Sequence, residues 1–493
     1  MSIKIKRVIL SVLVIVMLVP LISCQKNTSN SDTTASDTTQ SITDTENLYD
    51  ANGYLMDNIP SDLKFSGQTL TILCNNQQKK QVYYVEQTGD LVNDSLYSRE
   101  SKLMSRLDVT TNWVFKDGSW DSKNSHLEFL NTMGNDITSG AGEYDLVVAY
   151  NLVPPSAAIK GYCQDLKQSE YIELEKPWWP QSYVEAASYN DKLYFIAESS
   201  SYGVLRNMMG IFFNTELVNN YGLEDPYQLV LDGTWTIEKM FTMAEGCYLD
   251  LDNTGTATDM DQYGLSSATK PYLDSYFYGS GLKTTEFNED GVPEFTLGDS
   301  KVIDYIVNLN SYIHNNPDVY PIDSKQYQMF KDGRAVFYHT AVAIADTIKT
   351  EPDLQYGVAP MPKSDVESDY HTALSNTHDV WCILTTASNF NKSSAALEVF
   401  ASEAYRQVYP AYFETALKVK YASSEKIGQV YDIMRDSLTF DFGYIYSIAF
   451  ARMPMLDIRD MIANNSNDWA SKWNTVKSTY EDELEGIVNA LSQ

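Results

Sequence analysis

The chain has 493 residues, a formal net charge of −30 at pH 7 and an aromatic content of 12%. A surface this acidic disfavours binding to nucleic acid and to anionic lipid. The chain lacks the short motifs of serine hydrolases, zinc proteases, phosphate-binding loops and dinucleotide-binding folds, which removes the sequence reasons to propose an enzyme. Its length is large for one hydrophobic core and natural for two.

Residues 1–23 have the pattern of a secretory signal peptide. A basic start precedes the apolar run Val8–Val19, which is too short to span a membrane. The run leads to Leu21-Ile22-Ser23-Cys24, which resembles the lipobox of bacterial lipoproteins, where the cysteine thiol is acylated. We therefore expect a lipidated Cys24 that anchors the protein to the extracellular face of the cell membrane. An ordinary secretory signal is the alternative.

Residues 24–60 are predicted to form a disordered tether. The stretch from Gln25 to Asn47 is dominated by Ser, Thr, Asp and Asn, and it contains too little apolar surface to fold. Such a tether would hold a folded body away from the membrane.

Four further cysteines are widely spaced and include no C-x-x-C pair: Cys74, Cys163, Cys247 and Cys382. Buried thiols are the simpler interpretation. A disulfide is the alternative outside the cell, and the sequence does not choose a pairing. Zinc is not indicated, because no histidine lies at ligand spacing from these cysteines.

The folded body begins with alternating strands and helices. The predicted strands are Thr69–Cys74, Val109–Val114 and Tyr144–Tyr150, and Asp90–Leu107 is a predicted helix with leucines along one side. This alternation predicts a parallel or mixed sheet covered on both faces. Ligands of such sheets bind beyond the carboxyl ends of the strands. The candidate ligand residues at those ends are Asn75, Asn76, Tyr150 and Asn151.

The segment Tyr171–Met243 carries the strongest signal. Lys176–Trp179, Asp191–Ala197, Phe212–Leu229 and Gly233–Met240 follow in an order and spacing that resembles the extracellular solute-binding lipoproteins of carbohydrate ABC importers. The resemblance implies an α/β fold with two lobes, similar to type II periplasmic binding proteins. In that fold three crossovers form a hinge, and the ligand lies in a cleft between the lobes.

The resemblance also divides the chain between the lobes. It assigns residues 61–203 and 336–388 to the first lobe, and residues 204–335 and 389–493 to the second. A polar loop between the predicted strands Lys192–Ile196 and Met208–Phe213 would lie at the first crossing, and it contributes the candidate ligand residues Glu198, Ser199 and Tyr202. Phe330–Phe337 resembles the second crossing, which would return the chain to the first lobe.

Further candidates follow that second crossing. His339 and Thr340 would lie at the cleft mouth, although a solvated loop residue is the interpretation that we favour for His339. An aromatic cluster near the end of the chain adds Tyr444 and Tyr446. Aromatic rings suit a carbohydrate because pyranose C–H faces stack on them.

Three tryptophans in the resembling segment allow two interpretations. Trp178 and Trp179 form either a stacking platform for a sugar or part of the core, and packing is the interpretation we favour. Trp235, directly before the predicted helix cap Thr236, is interpreted as a packing anchor.

One loop has the spacing of a calcium site. Oxygen-bearing side chains fall at positions 1, 3, 5, 9 and 12 of a 12-residue loop with glycine at position 6. The candidate ligand residues of this loop are Asp250, Asp252, Thr254 and Asp261 at positions 1, 3, 5 and 12, together with Thr256 at position 7. Since Asp261 replaces the usual Glu, a solvent-facing turn without metal is the alternative that we favour.

The sequence thus predicts a protein that captures a mono- or oligosaccharide and delivers it to the permease subunits of an ABC importer. It predicts a monomer with no catalytic residues and no required cofactor, structural calcium aside. One alternative is a secreted glycan-acting lipoprotein enzyme, which needs only two facing carboxylates. The other is a sensor lipoprotein that presents a ligand to a receptor, and a peptide or polyol ligand fits the same architecture.

Overall fold

The computed structural model describes residues 48–119, 123–267, 270–320, 322, 325–348, 350–351, 353–413 and 425–492. From Leu48 onward the chain forms one compact unit. The predicted signal peptide, the predicted acylation at Cys24 and most of the predicted tether lie outside the described residues. Among the helices that are described, none is both long enough and apolar enough to cross a membrane.

The described strands form two large sheets and one hairpin. In chain order they are β1 (Gln68–Asn75), β2 (Val109–Lys116), β3 (Leu146–Tyr150), β4 (Met209–Asn214), β5 (Tyr263–Ser266), β6 (Thr285–Phe287), β7 (Pro293–Phe295), β8 (Val319–Tyr320), β9 (Ala335–Ala341), β10 (Tyr356–Pro360) and β11 (Asp379–Ile383).

Helices cover both large sheets. In chain order they are α1 (Lys79–Val82), α2 (Leu91–Leu107), α3 (Ser125–Ser139), α4 (Val153–Ile159), α5 (Gln181–Ala187), α6 (Tyr202–Asn207), α7 (Thr215–Asn220), α8 (Pro226–Leu231), α9 (Ile237–Ala244), α10 (Asp274–Gly279), α11 (Ser300–His314), α12 (Gln326–Lys331), α13 (Ala345–Ile348), α14 (Phe390–Glu403), α15 (Tyr409–Tyr412), α16 (Glu425–Asp436), α17 (Phe442–Ile445), α18 (Pro454–Ala463) and α19 (Trp469–Leu491).

The first sheet has the strand order β11-β3-β1-β2. Strand β1 is parallel to β2 and β3, and β11 is antiparallel to β3. Every residue of β3 and β11 is buried, as expected for strands covered on both faces. The predicted alternation of strands and helices in this part of the chain is confirmed. We call this sheet with its covering helices the first lobe.

The second sheet has the strand order β10-β4-β9-β5-β8. Strand β9 is parallel to β5 and antiparallel to β4, so the carboxyl ends of β5 and β9 share an edge with the amino end of β4. Asn214 ends β4 and caps α7 through hydrogen bonds from two backbone N–H groups. We call this sheet with its helices the second lobe.

The predicted point of return to the first lobe is wrong. Strand β9 pairs with β4 and β5, and β10 pairs with β4, so both belong to the second sheet. The chain rejoins the first sheet only at β11. A run of buried apolar residues predicts a strand, but it does not indicate which sheet the strand joins.

The assignment of residues 389–493 to the second lobe is also wrong in part. Helix α14 packs on α2 and β11 of the first lobe. Helix α16 packs on α8 and β10 of the second lobe. The C-terminal helix α19 contacts α4 in the first lobe and α11 in the second. An apolar helix face shows that a helix is buried without identifying its partner.

Two other boundaries differ from the prediction. The tether was expected to reach residue 60, but Asp57 and Ile59 are buried, and Asp57 forms an ion pair with Arg106. The folded body therefore begins before residue 60. The predicted strand Lys192–Ile196 makes only isolated bridges, from Lys192 to Tyr189 and from Ile196 to Trp381.

Candidate functional site

A cavity of about 420 Å³ lies between the strand ends of the two sheets. The first lobe contributes residues at the carboxyl end of β3, and the second lobe contributes the start of β4 and the segment after β5. A crossing segment and the C-terminal helices complete it. The lining residues are Tyr150, Leu152, Met209, Pro271, Tyr272, Asp274, Ser275, Leu374, Ser375, Asn376, Thr377, Tyr444, Met453, Leu456 and Arg459.

A larger cavity of about 790 Å³ lies elsewhere, beside α5 and the β6–β7 hairpin. None of its lining residues belongs to a strand of either large sheet. Ligands of open α/β sheets bind beyond the carboxyl ends of strands. We therefore take the smaller cavity as the candidate ligand site.

The crossing segments meet at the candidate site. The backbone N–H of Met209 donates to the carbonyl of Ala373 over 2.9 Å, and that of Ser375 donates to Asn207 over 2.8 Å. The two segments that join the lobes are thus paired directly beside the cavity. Segments that join two lobes in this way can absorb the backbone changes of a hinge rotation.

Asp274 and Arg459 form an ion pair in the cavity wall. The Arg459 Nε atom lies 2.5 Å from Asp274 Oδ1, and both side chains are largely buried. Burial raises the pKa of Asp274, and the charge of Arg459 opposes that shift. The pair places a fixed guanidinium and carboxylate at the cavity surface, where both suit polar groups of a ligand.

Ser275 is held in the wall by a histidine from the second sheet. His339 lies within β9, is fully buried, and has Nε2 2.6 Å from the Ser275 hydroxyl. Its ring packs against Tyr276, and burial lowers the pKa of His339 to about 3. The interpretation of His339 as a solvated loop residue is therefore wrong. Thr340, the next residue of β9, is also buried and does not line the cavity.

The two tyrosines of the C-terminal aromatic cluster have different positions. Tyr444 lines the cavity, and its hydroxyl donates to the carbonyl of Leu374 over 2.8 Å. Tyr446 lies outside the cavity, where its hydroxyl donates to Ala187 and its ring packs against Phe442. The structure therefore places Tyr444, and not Tyr446, at the candidate site.

The candidate residues at the ends of β1 and β3 also differ in their positions relative to the cavity. Tyr150 lines the cavity. Asn151 is fully buried, and within the described part of the chain neither its amide nitrogen nor its amide oxygen has a hydrogen-bond partner. Asn75 is buried and donates to the carbonyl of Gly118, so it holds the loop after β1, while Asn76 is exposed.

Glu198 lies at the first crossing in a closed, polar part of the core. It is fully buried, and Arg99 Nη1 lies 3.5 Å from its carboxylate. Burial raises the pKa of Glu198 to about 8, with Arg99 opposing the shift and the nearby Asp379 adding to it. Gly203 leaves room for this cluster, because a Cβ atom there would lie 1.5 Å from Asp379 Oδ1.

The other two candidates of this loop do not line the cavity either. The Ser199 hydroxyl donates to the carbonyl of Pro177 over 2.8 Å. The Tyr202 hydroxyl donates to Asp346 over 3.1 Å, and the guanidinium of Arg206 lies over the Tyr202 ring. The loop thus makes structural contacts at the crossing, and its role as a ligand contact stays a prediction.

The tryptophans are packing residues. The indole N–H groups of Trp178 and Trp179 both donate to the carboxylate of Glu398, each over 3.0 Å. Burial raises the pKa of Glu398 to about 8. Trp235 is fully buried and donates to the carbonyl of Pro360. The favoured packing interpretation is confirmed for all three.

The loop with calcium spacing brings its three carboxylates together. Asp250, Asp252 and Asp261 each offer an oxygen within 4.8 Å of the others. Asp261 is buried and accepts hydrogen bonds from the backbone N–H groups of Leu251 and Thr258. Thr254 and Thr256 are exposed. Calcium binding stays a prediction.

The sequence of the chain matches one protein family over a long stretch. Residues 129–407 match the family model described as bacterial extracellular solute-binding protein, which is more than half of the chain. The chain belongs to the bacterial extracellular solute-binding proteins. No curated protein matches its sequence.

Solved structures of other solute-binding proteins share the fold. An extracellular solute-binding protein from Staphylococcus aureus in complex with maltose has 14% identity and a TM-score of 0.55, covering 87% of this chain and 98% of that one. UspC of M. tuberculosis has 13% identity and a TM-score of 0.53, covering 86% and 100%. MalE of Listeria monocytogenes in complex with maltose has 16% identity and a TM-score of 0.51, covering 86% and 98%. The predicted two-lobe α/β fold is confirmed.

Proposed function

We propose that this solute-binding protein captures a mono- or oligosaccharide in the cavity between its lobes and delivers it to the permease subunits of an ABC importer. The observation that carries this proposal is the composition of the cavity wall. Tyr150, Tyr272 and Tyr444 supply aromatic rings for pyranose C–H faces. Asn376 and the Asp274–Arg459 pair supply hydrogen-bonding groups for sugar hydroxyls.

Two further facts support a carbohydrate. The structurally similar proteins of Staphylococcus aureus and Listeria monocytogenes are both described in complex with maltose. The buried oxygen Oδ1 of Asn376 lines the cavity and has no hydrogen-bond partner among the described residues. An unpaired buried acceptor costs free energy, so a ligand hydroxyl that donates to it gains affinity.

Delivery would follow from a shift between open and closed lobes. A sugar that contacts both lobes binds only the closed form well, and its differential affinity therefore populates that form. The membrane subunits would recognise the closed lobes, and acylation of Cys24 would keep the protein at the extracellular face of the membrane. In this proposal the protein acts as a monomer and alters no covalent bond of the sugar.

A thermal-shift screen tests the proposal. The full chain with Cys24→Ser is titrated with maltose and a panel of other mono- and oligosaccharides, with amino acids and peptides as controls. A ligand at 100 times its dissociation constant adds about 2.7 kcal/mol to the stability of the folded protein. We expect at least one sugar to raise the midpoint and to be recovered unchanged. A cleaved sugar would favour the glycan-acting enzyme, and a panel without any shift would remove the support for carbohydrate.

A matched pair of variants locates the site. Asn376→Ala removes an amide whose oxygen is unpaired in the structure, so we expect a stable protein with about tenfold weaker sugar affinity. Asn391→Ala removes an exposed amide at the start of α14, outside the cavity, and should leave the affinity unchanged. Calorimetric titration measures both. Equal affinities for the two variants would place the sugar site elsewhere.

Permease subunits encoded beside this chain would distinguish an importer from a sensor.

A further inference from the structure

Cys163 and Cys382 lie side by side in the first lobe. Cys163 follows α4 and forms an antiparallel bridge with Leu384, just beyond β11. The bridge is flanked by backbone hydrogen bonds from Gln164 N to Ile383 O and from Thr385 N to Tyr162 O. This pattern makes Cys163 and Leu384 a non-hydrogen-bonded pair, in which the side chains approach most closely.

Cys382 shares a face of its strand with Leu384, because side chains two residues apart point the same way. It is therefore the diagonal neighbour of Cys163 across the pair. The Cys382 thiol and burial both raise the pKa of Cys163. Both side chains are nearly inaccessible to water, with exposed fractions of 4% and 0%.

The other two cysteines of the folded body have different surroundings. All four are buried and carry free thiols in the structure. The Cys74 thiol donates to the carbonyl of Asn75, and the Cys247 thiol contacts the carbonyl of Met243. Among the four described cysteines, only Cys163 and Cys382 are diagonal neighbours across a strand pair. The structure therefore makes the choice of pair that the sequence left open.

We propose that Cys163 and Cys382 form a disulfide when the protein is exported. Solute-binding proteins of this family are extracellular, and disulfides form and persist in oxidising compartments. Each thiol loses a proton, a sulfur–sulfur bond forms, and the two electrons reduce an external disulfide to two thiols. The sulfur atoms must approach to about 2 Å, which requires the backbone to move, because diagonal neighbours lie farther apart than disulfide-bonded cysteines. The exposed turn at Lys160 and Gly161 gives the segment before Cys163 room to adjust.

The disulfide forms while the chain is folding and not after the first lobe is complete. The thiolate is the nucleophile in disulfide exchange, and the raised pKa of Cys163 makes it scarce once the pair is buried. Oxidation therefore precedes closure of the core around the pair. The product ties the segment after α4 to β11, whose first residue, Asp379, pairs with Tyr150 of the cavity wall.

Thiol counting with peptide mapping tests this proposal. The full chain with Cys24→Ser is refolded in a mixture of oxidised and reduced glutathione, then denatured and alkylated without reductant. We expect two alkylated cysteines, Cys74 and Cys247, and one cross-linked peptide pair that contains Cys163 and Cys382. Four alkylated cysteines, or a cross-link to Cys74 or Cys247, would overturn the proposal. The mapping uses no variant in the pair, so it does not depend on how such a variant folds.

Two serine variants provide the matched comparison. In Cys163→Ser we expect all three remaining thiols to be alkylated, because the partner of Cys382 is gone. In Cys247→Ser we expect a single alkylated thiol, at Cys74, because the pair is intact. A single alkylated thiol in Cys163→Ser would mean that another pair forms readily, and it would contradict the assignment.

Discussion

Glu198 is an acid that the fold buries beside Arg99. Within the described part of the chain neither of its carboxylate oxygens has a hydrogen-bond partner, and the side chain is fully buried. Arg99 supplies a compensating charge at 3.5 Å, but burial is the larger effect and raises the pKa of Glu198 from 4.5 to about 8. At neutral pH the folded protein therefore holds a proton that the unfolded chain releases.

This difference predicts a pH-dependent stability. Because the folded pKa exceeds the unfolded one, Glu198 contributes stability that is complete below pH 4.5 and is lost as the pH rises through about 8. Glu198→Gln imitates the protonated form, so the free energy of unfolding should fall less steeply across this range than in the wild type. Urea unfolding at several pH values measures the slope. The exposed Glu185→Gln is the control and should keep the wild-type slope. An unchanged slope in Glu198→Gln would show that the carboxyl is charged in the folded protein.

Some residues of the candidate site could be predicted from the sequence, and others could not. Tyr150 was predicted because it ends an apolar strand, and Tyr444 because it belongs to an aromatic cluster. Asp274 and Arg459 were missed, since they are 185 residues apart and neither belongs to a motif. Each is one polar position on a helix, and only the folded chain shows that the two helices meet at the cavity. Asn376 was missed for the same reason, because it lies in a crossing segment without a periodic pattern.

At the scale of single elements, the loop from Asp250 to Asp261 yields a prediction about calcium. Its carboxylates converge, although Asp261 is already held by backbone N–H groups of the loop. Extracellular calcium sites have dissociation constants of about 0.1 to 1 mM. If calcium binds here, 10 mM calcium chloride should stabilise the protein by about 1 to 3 kcal/mol, and EDTA should reverse the effect.

Variants decide whether this loop causes the stabilisation by calcium. Asp250→Asn combined with Asp252→Asn should abolish the response to calcium, while Asp290→Asn, in the exposed turn of the β6–β7 hairpin, should retain it. Differential scanning calorimetry with and without calcium gives the midpoints. No response in the wild type would favour the solvent-facing turn, in which hydrogen bonds to Asp250, Asp252 and Asp261 hold the loop without a metal.

The existence of helices and strands was predicted better than the lobe in which each of them packs. Most of strand β9 and all of helix α14 lie in the lobe opposite to the one to which their residues were assigned. The pattern records how much of an element is buried, and a strand buried on both faces looks the same in either sheet. The order and spacing of the motifs identified the family correctly, but they do not fix where the chain crosses between lobes.

At the scale of the whole molecule, the crossings define what can move. Ala197 to Met208 carries the chain from the first lobe to the second, and Met361 to His378 carries it back. Later in the chain, α15 packs on α2 of the first lobe, and α16 packs on β10 of the second. The first two segments are hydrogen-bonded to each other beside the cavity. Paired segments of this kind can bend together while both sheets keep their structure.

This arrangement predicts that a bound sugar brings the lobes together. The sugar identified by thermal shift should reduce the radius of gyration in small-angle X-ray scattering as it saturates the protein, because contacts with both lobes are complete only in the closed form. Asn376→Ala provides the internal control, since it removes one side chain from the second crossing and leaves in place the backbone hydrogen bonds that pair the two crossings. Its titration should move to about tenfold higher sugar concentration and reach the same final radius. If calorimetry records sugar binding while the radius stays constant, the cavity takes its ligand without closure. The signal for the permease would then have to come from the occupied surface and not from lobe rotation.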